Sequence, residues 1–251
     1  MAFIFLLLYL PIIVLVVLSF NKSKARVTWR GFTFQWYANL FDNSRIMDAF
    51  TTTLTLAFGS ALAATIIGVV GAIGISAMKK RNYSIMLGAT NIPMLNADIV
   101  TGISLMLAFI AFGVSLGFKT VLIAHITFNI PYVILSVSPK LRQMDRNLVD
   151  ASMDLGCTWM QAFWKVIIPE IKPGIISGAL TAFTMSIDDF VISYFTAGSS
   201  ASTLAMTIYG MTKKRVSPEI NAISTLLFVT VLVLLAVVNL RESLSLIHIS
   251  E

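Results

Sequence analysis

The sequence contains few of the residues that metal sites and disulfides need. Its 251 residues include one cysteine, Cys157, and two histidines, His125 and His248. A single cysteine excludes an internal disulfide, and so few sulfur and imidazole ligands argue against a metal centre. The sequence also lacks a Gly-Lys dipeptide and therefore a P-loop. Any energy from ATP must come from another polypeptide.

Charged residues are also scarce. Only 12% of the residues are charged, whereas 57% are hydrophobic, and the mean hydropathy is +0.86. Soluble domains carry about 25% charged residues, so the apolar excess predicts a multi-pass membrane protein. The net charge of +6 arises from short basic clusters between apolar runs. This pattern is typical of membrane-flanking loops and does not favour a nucleic-acid partner.

Six apolar runs of roughly the 20 residues needed to cross a bilayer predict six transmembrane helices. They lie at residues 2–20, 49–78, 84–118, 120–139, 174–195 and 220–240. We interpret the first as a true span, because no basic region precedes it as in a signal peptide. The predicted domains are a first helix (1–20), an extracytoplasmic interfacial segment (21–48), a five-helix core (49–240) and a short cytoplasmic tail (241–251).

Local signals refine these spans. Trp36 and Tyr37 belong to an aromatic-rich stretch that predicts a short helix at the membrane surface. Pro93 and Asn96 predict a break in the third span. Pro173 is predicted to start the fifth span. Glycines of the second span are expected to allow close helix packing, namely Gly59, Gly68, Gly71 and Gly74.

The polar loop 140–172 carries the most specific pattern. Asp150, Ala151 and Ser152 are followed by Gly156, and Pro169 closes the motif after aliphatic residues at 166 and 168. This spacing resembles the EAA loop of binding-protein-dependent ABC importer permeases, which reads Glu-Ala-Ala, three residues, Gly, nine residues, Ile, one residue, Leu-Pro. Asp and Ser replace Glu and the second Ala. We expect Gly156 to turn the chain and Pro169 to end the segment that follows it.

The resemblance implies an all-α fold of the type I importer permease (MetI-like) class. It implies that the EAA residues dock a cytoplasmic ABC ATPase dimer that uses Mg-ATP, while this chain binds no cofactor. A second permease subunit, forming a heterodimer, and an extracytoplasmic solute-binding protein complete the expected assembly in the lipid of a bacterial inner membrane. The loop would place both termini in the cytoplasm. Charge cannot decide this, because the 18 Lys and Arg residues divide equally between the two faces.

Further segments resemble the spermidine/putrescine permeases of this family, among them residues 125–128 and 186–190. The resemblance therefore implies a polyamine substrate. Permeases for other cationic or small organic solutes, such as ferric iron or thiamine, remain alternatives.

Acidic residues inside the predicted spans are candidates for the substrate pathway, because a carboxylate in lipid is costly unless it faces a cavity or a partner. Asp98 and Asp188 would lie about 21 Å from the cytoplasmic edge if their spans were straight, with Asp189 adjacent and His125 at a similar level. Such a cavity suits a cation. Alternatively, Asp98 caps a broken helix, the Asp pair bonds to the partner permease, and His125 is a packed, hydrogen-bonded residue.

Two other classes of protein compete with this interpretation. A self-contained secondary transporter would show paired broken helices, but the sequence indicates one interrupted span. An intramembrane enzyme would need a motif such as HExxH, which is absent, or a second acidic motif to complete a metal or aspartyl dyad with Asp188 and Asp189, and we find none.

Overall fold

The computed structural model describes residues 2–23, 28–145, 147–214 and 218–247. Within these ranges the chain is helical, and its only β-type pairing is a bridge between Asn21 and Phe32. The predicted all-α class is therefore confirmed. The helices are α1 (Ala2–Ser19), α2 (Gln35–Asp42), α3 (Ser44–Ser76), α4 (Lys80–Leu95), α5 (Asp98–Ala111), α6 (Phe118–Gln143), α7 (Asn147–Asp154), α8 (Trp159–Ala162), α9 (Ile168–Asp188), α10 (Val191–Thr196), α11 (Leu204–Lys214) and α12 (Pro218–Ile247).

Three helical runs are long and apolar enough to cross a membrane: α3, α6 and the continuous run Trp159–Asp188. The pair formed by α4 and α5 adds a fourth if it is a single bent span. Shorter apolar stretches occupy Leu6–Ser19 and Pro218–Val233, where the first and sixth spans are predicted. The multi-pass character is confirmed, while the count of six remains a prediction. Residues 248–251 of the predicted tail lie outside the described residues, and its earlier part continues α12.

The chain divides into two compact units, one formed by residues 1–53 and 202–251 and the other by residues 54–201. In the first unit, α1 and α2 pack against α12. Trp36 of α2 is buried, and its indole N–H donates a 2.7 Å hydrogen bond to the Asn21 carbonyl. This bond ties the loop after α1 to α2, which is the short helix predicted from the aromatic residues.

In the second unit, the principal contact is between α6 and α9, and small residues make it close. A Cβ on Gly174 would lie 2.9 Å from the Ser136 carbonyl oxygen, and one on Gly178 would lie 3.1 Å from the Val133 Cα. On α3, a Cβ on Gly68 would lie 2.7 Å from the Val133 Cβ. Close packing is thus confirmed at Gly68. The prediction of close packing is wrong at Gly74, where a Cβ would meet nothing within 4 Å.

The outer face of α3 is apolar rather than polar. Phe58, Leu62, Ile66 and Val70 follow at intervals of one turn, and each exposes between 59% and 66% of its surface. A helix of a soluble protein would carry polar residues on this face. The pattern fits a helix covered by lipid or by another membrane subunit.

Two interruptions shape the spans of the second unit. The axes of α4 and α5 differ by 100° across Asn96 and Ala97, which confirms the predicted break. A second break separates α9 from α10 at Asp189 and Phe190, so the expectation of a single interrupted span is wrong. The depth estimate from straight spans is also wrong, because α5 turns away from α4.

The prolines near the fifth span do not act as predicted: Pro173 does not start a helix, and Pro169 does not end one. Pro173 lies inside α9, which begins at Ile168. Pro169 also lies within the continuous run Trp159–Asp188. A π-helical turn, Phe163–Ile167, ends two positions before Pro169. A widened turn relieves the clash between a proline ring and the preceding turn of helix, so the run continues.

Candidate functional site

The break between α9 and α10 is organised by the carboxylate of Asp189. Its Oδ1 accepts a 3.2 Å hydrogen bond from the Ile192 backbone N–H, and its Oδ2 accepts a 2.8 Å bond from the Ser193 backbone N–H. The first amides of a helix lack partners within the helix. Asp189 therefore satisfies the start of α10 and stabilises the interrupted span.

His125 of α6 completes this cluster. Its Nε2 lies 3.4 Å from Asp189 Oδ2 and 3.0 Å from the Ser193 Oγ. The His125 side chain is fully buried, and that of Asp189 is 9% exposed. The Nε2 of the imidazole thus contacts a carboxylate and a hydroxyl away from solvent. This geometry favours the packed, hydrogen-bonded alternative for His125.

A second polar layer lies one turn further along α6. The Asn129 side-chain N–H donates a 2.8 Å hydrogen bond to the Ser186 Oγ of α9, and Ser186 shares a 2.9 Å bond with Ser60 of α3. All three side chains are buried. The layer links three helices and was missed at the sequence level. The spacing of His125 and Asn129, four residues apart within an apolar span, is the signal that could have found it.

Asp188 and Asp98 are in a different environment, because both residues are exposed. Asp188 is the last residue of α9. Asp98 is the first residue of α5 and follows the cap position Ala97, so the N-cap alternative is corrected by one position. In the first turn a carboxylate still gains from the helix dipole. No Lys or Arg of the described ranges forms an ion pair with either carboxylate.

Helix packing brings Asp98 to the same region as the Asp189 cluster. Gly102 lies one turn after Asp98, and a Cβ there would lie 3.1 Å from the Phe195 ring and 3.4 Å from the Ile192 Cα. The start of α5 therefore rests on the start of α10. The two breaks, and the acidic residue at each, belong to one part of the second unit.

The EAA-like loop forms a separate feature built on α7. The Gly156 N–H bonds to the Met153 carbonyl, and the Cys157 N–H bonds to the Ser152 carbonyl. Gly156 itself has a φ of +88°. These bonds and this conformation form a Schellman termination, in which glycine avoids the strain of a left-handed residue. The predicted turn at Gly156 is confirmed.

This loop exposes unusual apolar surface. Leu155 exposes 87% of its surface, and Trp159, Met160 and Trp164 expose 57% or more. Asp150 and Ala151 are exposed as well, while Ser152 donates a hydrogen bond to the Val149 carbonyl. Clustered exposed apolar side chains mark interaction surfaces. The arrangement suits a docked protein partner.

Residues 113–117 read Gly-Val-Ser-Leu-Gly and match the spacing of a serine-hydrolase nucleophile. That motif functions at a turn from a strand into a helix. Here it joins α5 to α6, and the described residues place no strand before it. The match therefore does not indicate an enzyme.

Comparison with known proteins identifies a family, close relatives and solved structures that resemble this chain. Residues 92–241 match the family of binding-protein-dependent transport system inner membrane components. The chain is 38% identical, over 93% of its length and 91% of the relative's, to the spermidine/putrescine transport system permease protein PotC of Haemophilus influenzae. It is also 38% identical, over 89% of its length and 82% of the relative's, to the putrescine transport system permease protein PotI of Escherichia coli K12. A crystal structure of a bacterial ABC transporter involved in the import of alginate shares the fold, with a TM-score of 0.73 and 15% sequence identity. The match covers 95% of this chain and 92% of the transporter chain.

The chain is a membrane-embedded permease subunit of the ABC importer class. It belongs to the family of binding-protein-dependent transport system inner membrane components. Permeases of this family are not enzymes, and the ATPase is a separate subunit. The predicted family and the MetI-like fold class are thereby confirmed.

Proposed function

We propose that this chain forms half of the translocation pathway of a polyamine importer, with spermidine and putrescine as substrates. The observation that carries the proposal is a pair of exposed carboxylates, Asp188 and Asp98, at the breaks of two apolar spans. A carboxylate within a span costs about 2.5–3.5 kcal/mol on insertion scales. A polycation that passes these positions would offset that cost by Coulomb attraction.

The two adjacent aspartates have different roles in this proposal. Asp189 holds the amides of α10 and contacts His125, so its charge is committed to the protein. Asp188 has no basic partner among the described residues. Asp188 therefore faces the substrate, together with Asp98, whereas Asp189 and His125 keep the break in shape.

The loop around α7 couples transport to ATP hydrolysis in the partner. Asp150, Ala151 and Ser152 lie on α7, and Gly156 ends it with a fixed reversal of the chain. The run that contains Pro169 then continues into α9 without interruption, up to Asp188. A movement of the docked ATPase would thus pass along one helical run to the break that carries the pathway carboxylate.

The assembly follows from the same interpretation. A second permease subunit pairs with this chain as a heterodimer, and two ATPase subunits that use Mg-ATP bind the EAA-like loops. A solute-binding protein delivers the substrate from outside. In this proposal the chain crosses a bacterial inner membrane six times, and its EAA-like loop and both termini lie in the cytoplasm.

Purification of the tagged chain in mild detergent, followed by mass spectrometry, tests the assembly. The proposal expects an ATPase, a second permease and a binding protein to accompany it. Stimulation of the ATPase by the binding protein loaded with spermidine, putrescine, thiamine or ferric iron then identifies the substrate. Stimulation by thiamine or iron alone would replace the polyamine proposal, and a chain that purifies alone would favour a self-contained transporter.

A further inference from the structure

A cavity of about 340 Å³ lies between α4 and α6, and none of the residues at the two helix breaks lines it. It is lined by Tyr83, Leu87, Leu135, Ser138, Pro139, Arg142 and Gln143. This volume lies within the range of ligand sites in proteins, about 300–1,000 Å³. Its lining residues come from the first half of α4 and the last third of α6.

One end of the cavity is polar and cationic. The Arg142 guanidinium lies 5.6 Å from the centre of the Tyr83 ring. The Tyr83 hydroxyl is buried, and the described residues supply it with no hydrogen-bond partner. A buried hydroxyl without a partner carries a free-energy cost that a bound acceptor would remove. Arginine and tyrosine together offer N–H and O–H donors for an anion with several oxygens.

No carboxylate in the described part of the chain is already the anionic partner of Arg142. Arg142 forms no ion pair with the described acidic residues. Asp145, the acidic residue nearest to it in sequence, accepts a hydrogen bond from the Asn147 backbone N–H and so caps α7. Lys79, one turn before Tyr83, and the neighbouring Lys80 and Arg81 are exposed. The local charge therefore repels a polyamine and attracts an anion.

The remainder of the cavity wall is apolar. Leu87 of α4 and Leu135 of α6 are half-buried and lie about one to two turns further into the spans than Tyr83 and Arg142. The cavity thus joins a cationic end to an apolar groove that continues along α4 and α6. Free phosphate would match only the first of these parts, whereas a lipid matches both.

We propose that this cavity binds one anionic phospholipid, such as phosphatidylglycerol. Its phosphate would contact the Arg142 guanidinium and the Tyr83 hydroxyl, and an acyl chain would lie against Leu87 and Leu135. The inference depends on the location of the chain in a membrane and not on the transported substrate.

Native mass spectrometry of the transporter, purified with the subunits that accompany this chain and then delipidated, tests the site. Phosphatidylglycerol, phosphatidylcholine and inorganic phosphate are added back separately. The proposal expects one tightly retained phosphatidylglycerol, weak retention of phosphatidylcholine and no competition by millimolar phosphate. Arg142→Gln should weaken retention roughly tenfold, since it removes a charged hydrogen bond, and Tyr83→Phe should weaken it less.

Lys119→Gln is the matched control, because it removes one exposed positive charge at the opposite end of α6. It should leave retention unchanged. Equal retention of the lipid by Arg142→Gln and by the native chain would overturn the proposal. A partner subunit that covers the cavity would give this same result, and the proposal would then be wrong. Equal retention of phosphatidylcholine, or displacement of the lipid by phosphate, would overturn it too.

Discussion

The Nε2 of His125 lies 3.4 Å from the Oδ2 of Asp189, and the side chains are 0% and 9% exposed. The contact joins α6 to the break between α9 and α10. It also distinguishes two neighbouring carboxylates that look equivalent in sequence. Asp189 is held inside the protein, while Asp188 at the end of α9 is exposed.

Replacement of Asp189 should affect stability before it affects substrate handling. Asp189→Ala removes two hydrogen bonds to backbone amides and leaves buried His125 without its carboxylate. We expect a loss of about 1–3 kcal/mol, visible as a lower melting temperature of the detergent-solubilised transporter. Asp188→Ala is the control and should melt close to the native protein. Equal melting of the two variants would refute the assigned division of roles.

Ser186 should be a sensitive position although it carries no charge. Ser186→Ala leaves the Asn129 amide without its 2.8 Å acceptor in a buried layer, at an expected cost of about 1–3 kcal/mol. Thr184→Val is the control, two residues before Ser186 on α9. It removes only a hydroxyl that bonds to the Leu180 carbonyl of the same helix. Thermal melting compares the two. A smaller loss for Ser186→Ala than for Thr184→Val would contradict the importance of the layer.

Gly68 should not tolerate a methyl group, because a Cβ there would lie 2.7 Å from the Cβ and Cγ1 of Val133. Gly68→Ala is expected to separate α3 from α6 and to cost about 1–3 kcal/mol through overpacking. Gly74→Ala on the same helix meets nothing within 4 Å, so it should be neutral or slightly stabilising. The melting temperatures of the two variants give the result, and equal values would show that α3 adjusts freely.

Coupling should depend on the backbone conformation of Gly156. Its φ of +88° disfavours residues with a Cβ, although the surrounding space is open, and Asn tolerates this region better than Ala. Gly156→Ala should therefore reduce the substrate-stimulated ATPase rate more than Gly156→Asn, with membrane insertion intact. Gly156→Trp should uncouple transport most strongly. Normal transport by Gly156→Trp would rule out the coupling role.

Much of this fold follows from local signals in the sequence. Pro93 and Asn96 interrupt an apolar run, and α4 ends between them at Leu95. The apolar run from residue 120 predicts α6 to within a few residues. Gly156 ends α7 because its left-handed conformation is a local requirement that sequence reveals.

The second break could not be predicted in the same way. Asp189 and Phe190 contain neither proline nor glycine, and the break depends on a carboxylate that His125 contacts from another helix. Pro173 shows the opposite error. It suggests a helix start, but packing of Gly174 and Gly178 against α6 holds the run together across it. In both cases tertiary contacts decide what the local residues leave open.

The most direct test of the account is the maximal rate of spermidine uptake by the reconstituted transporter with Asp188 altered. Because the binding protein delivers the substrate, the rate at saturation reports on the pathway. Asp188→Asn should lower this rate roughly tenfold, equivalent to about 1.4 kcal/mol, and Asp188→Glu should retain most of it because the charge remains. Native uptake by Asp188→Asn, in a preparation that melts like the native protein, would contradict the claim that an exposed acid at this break guides a polycation.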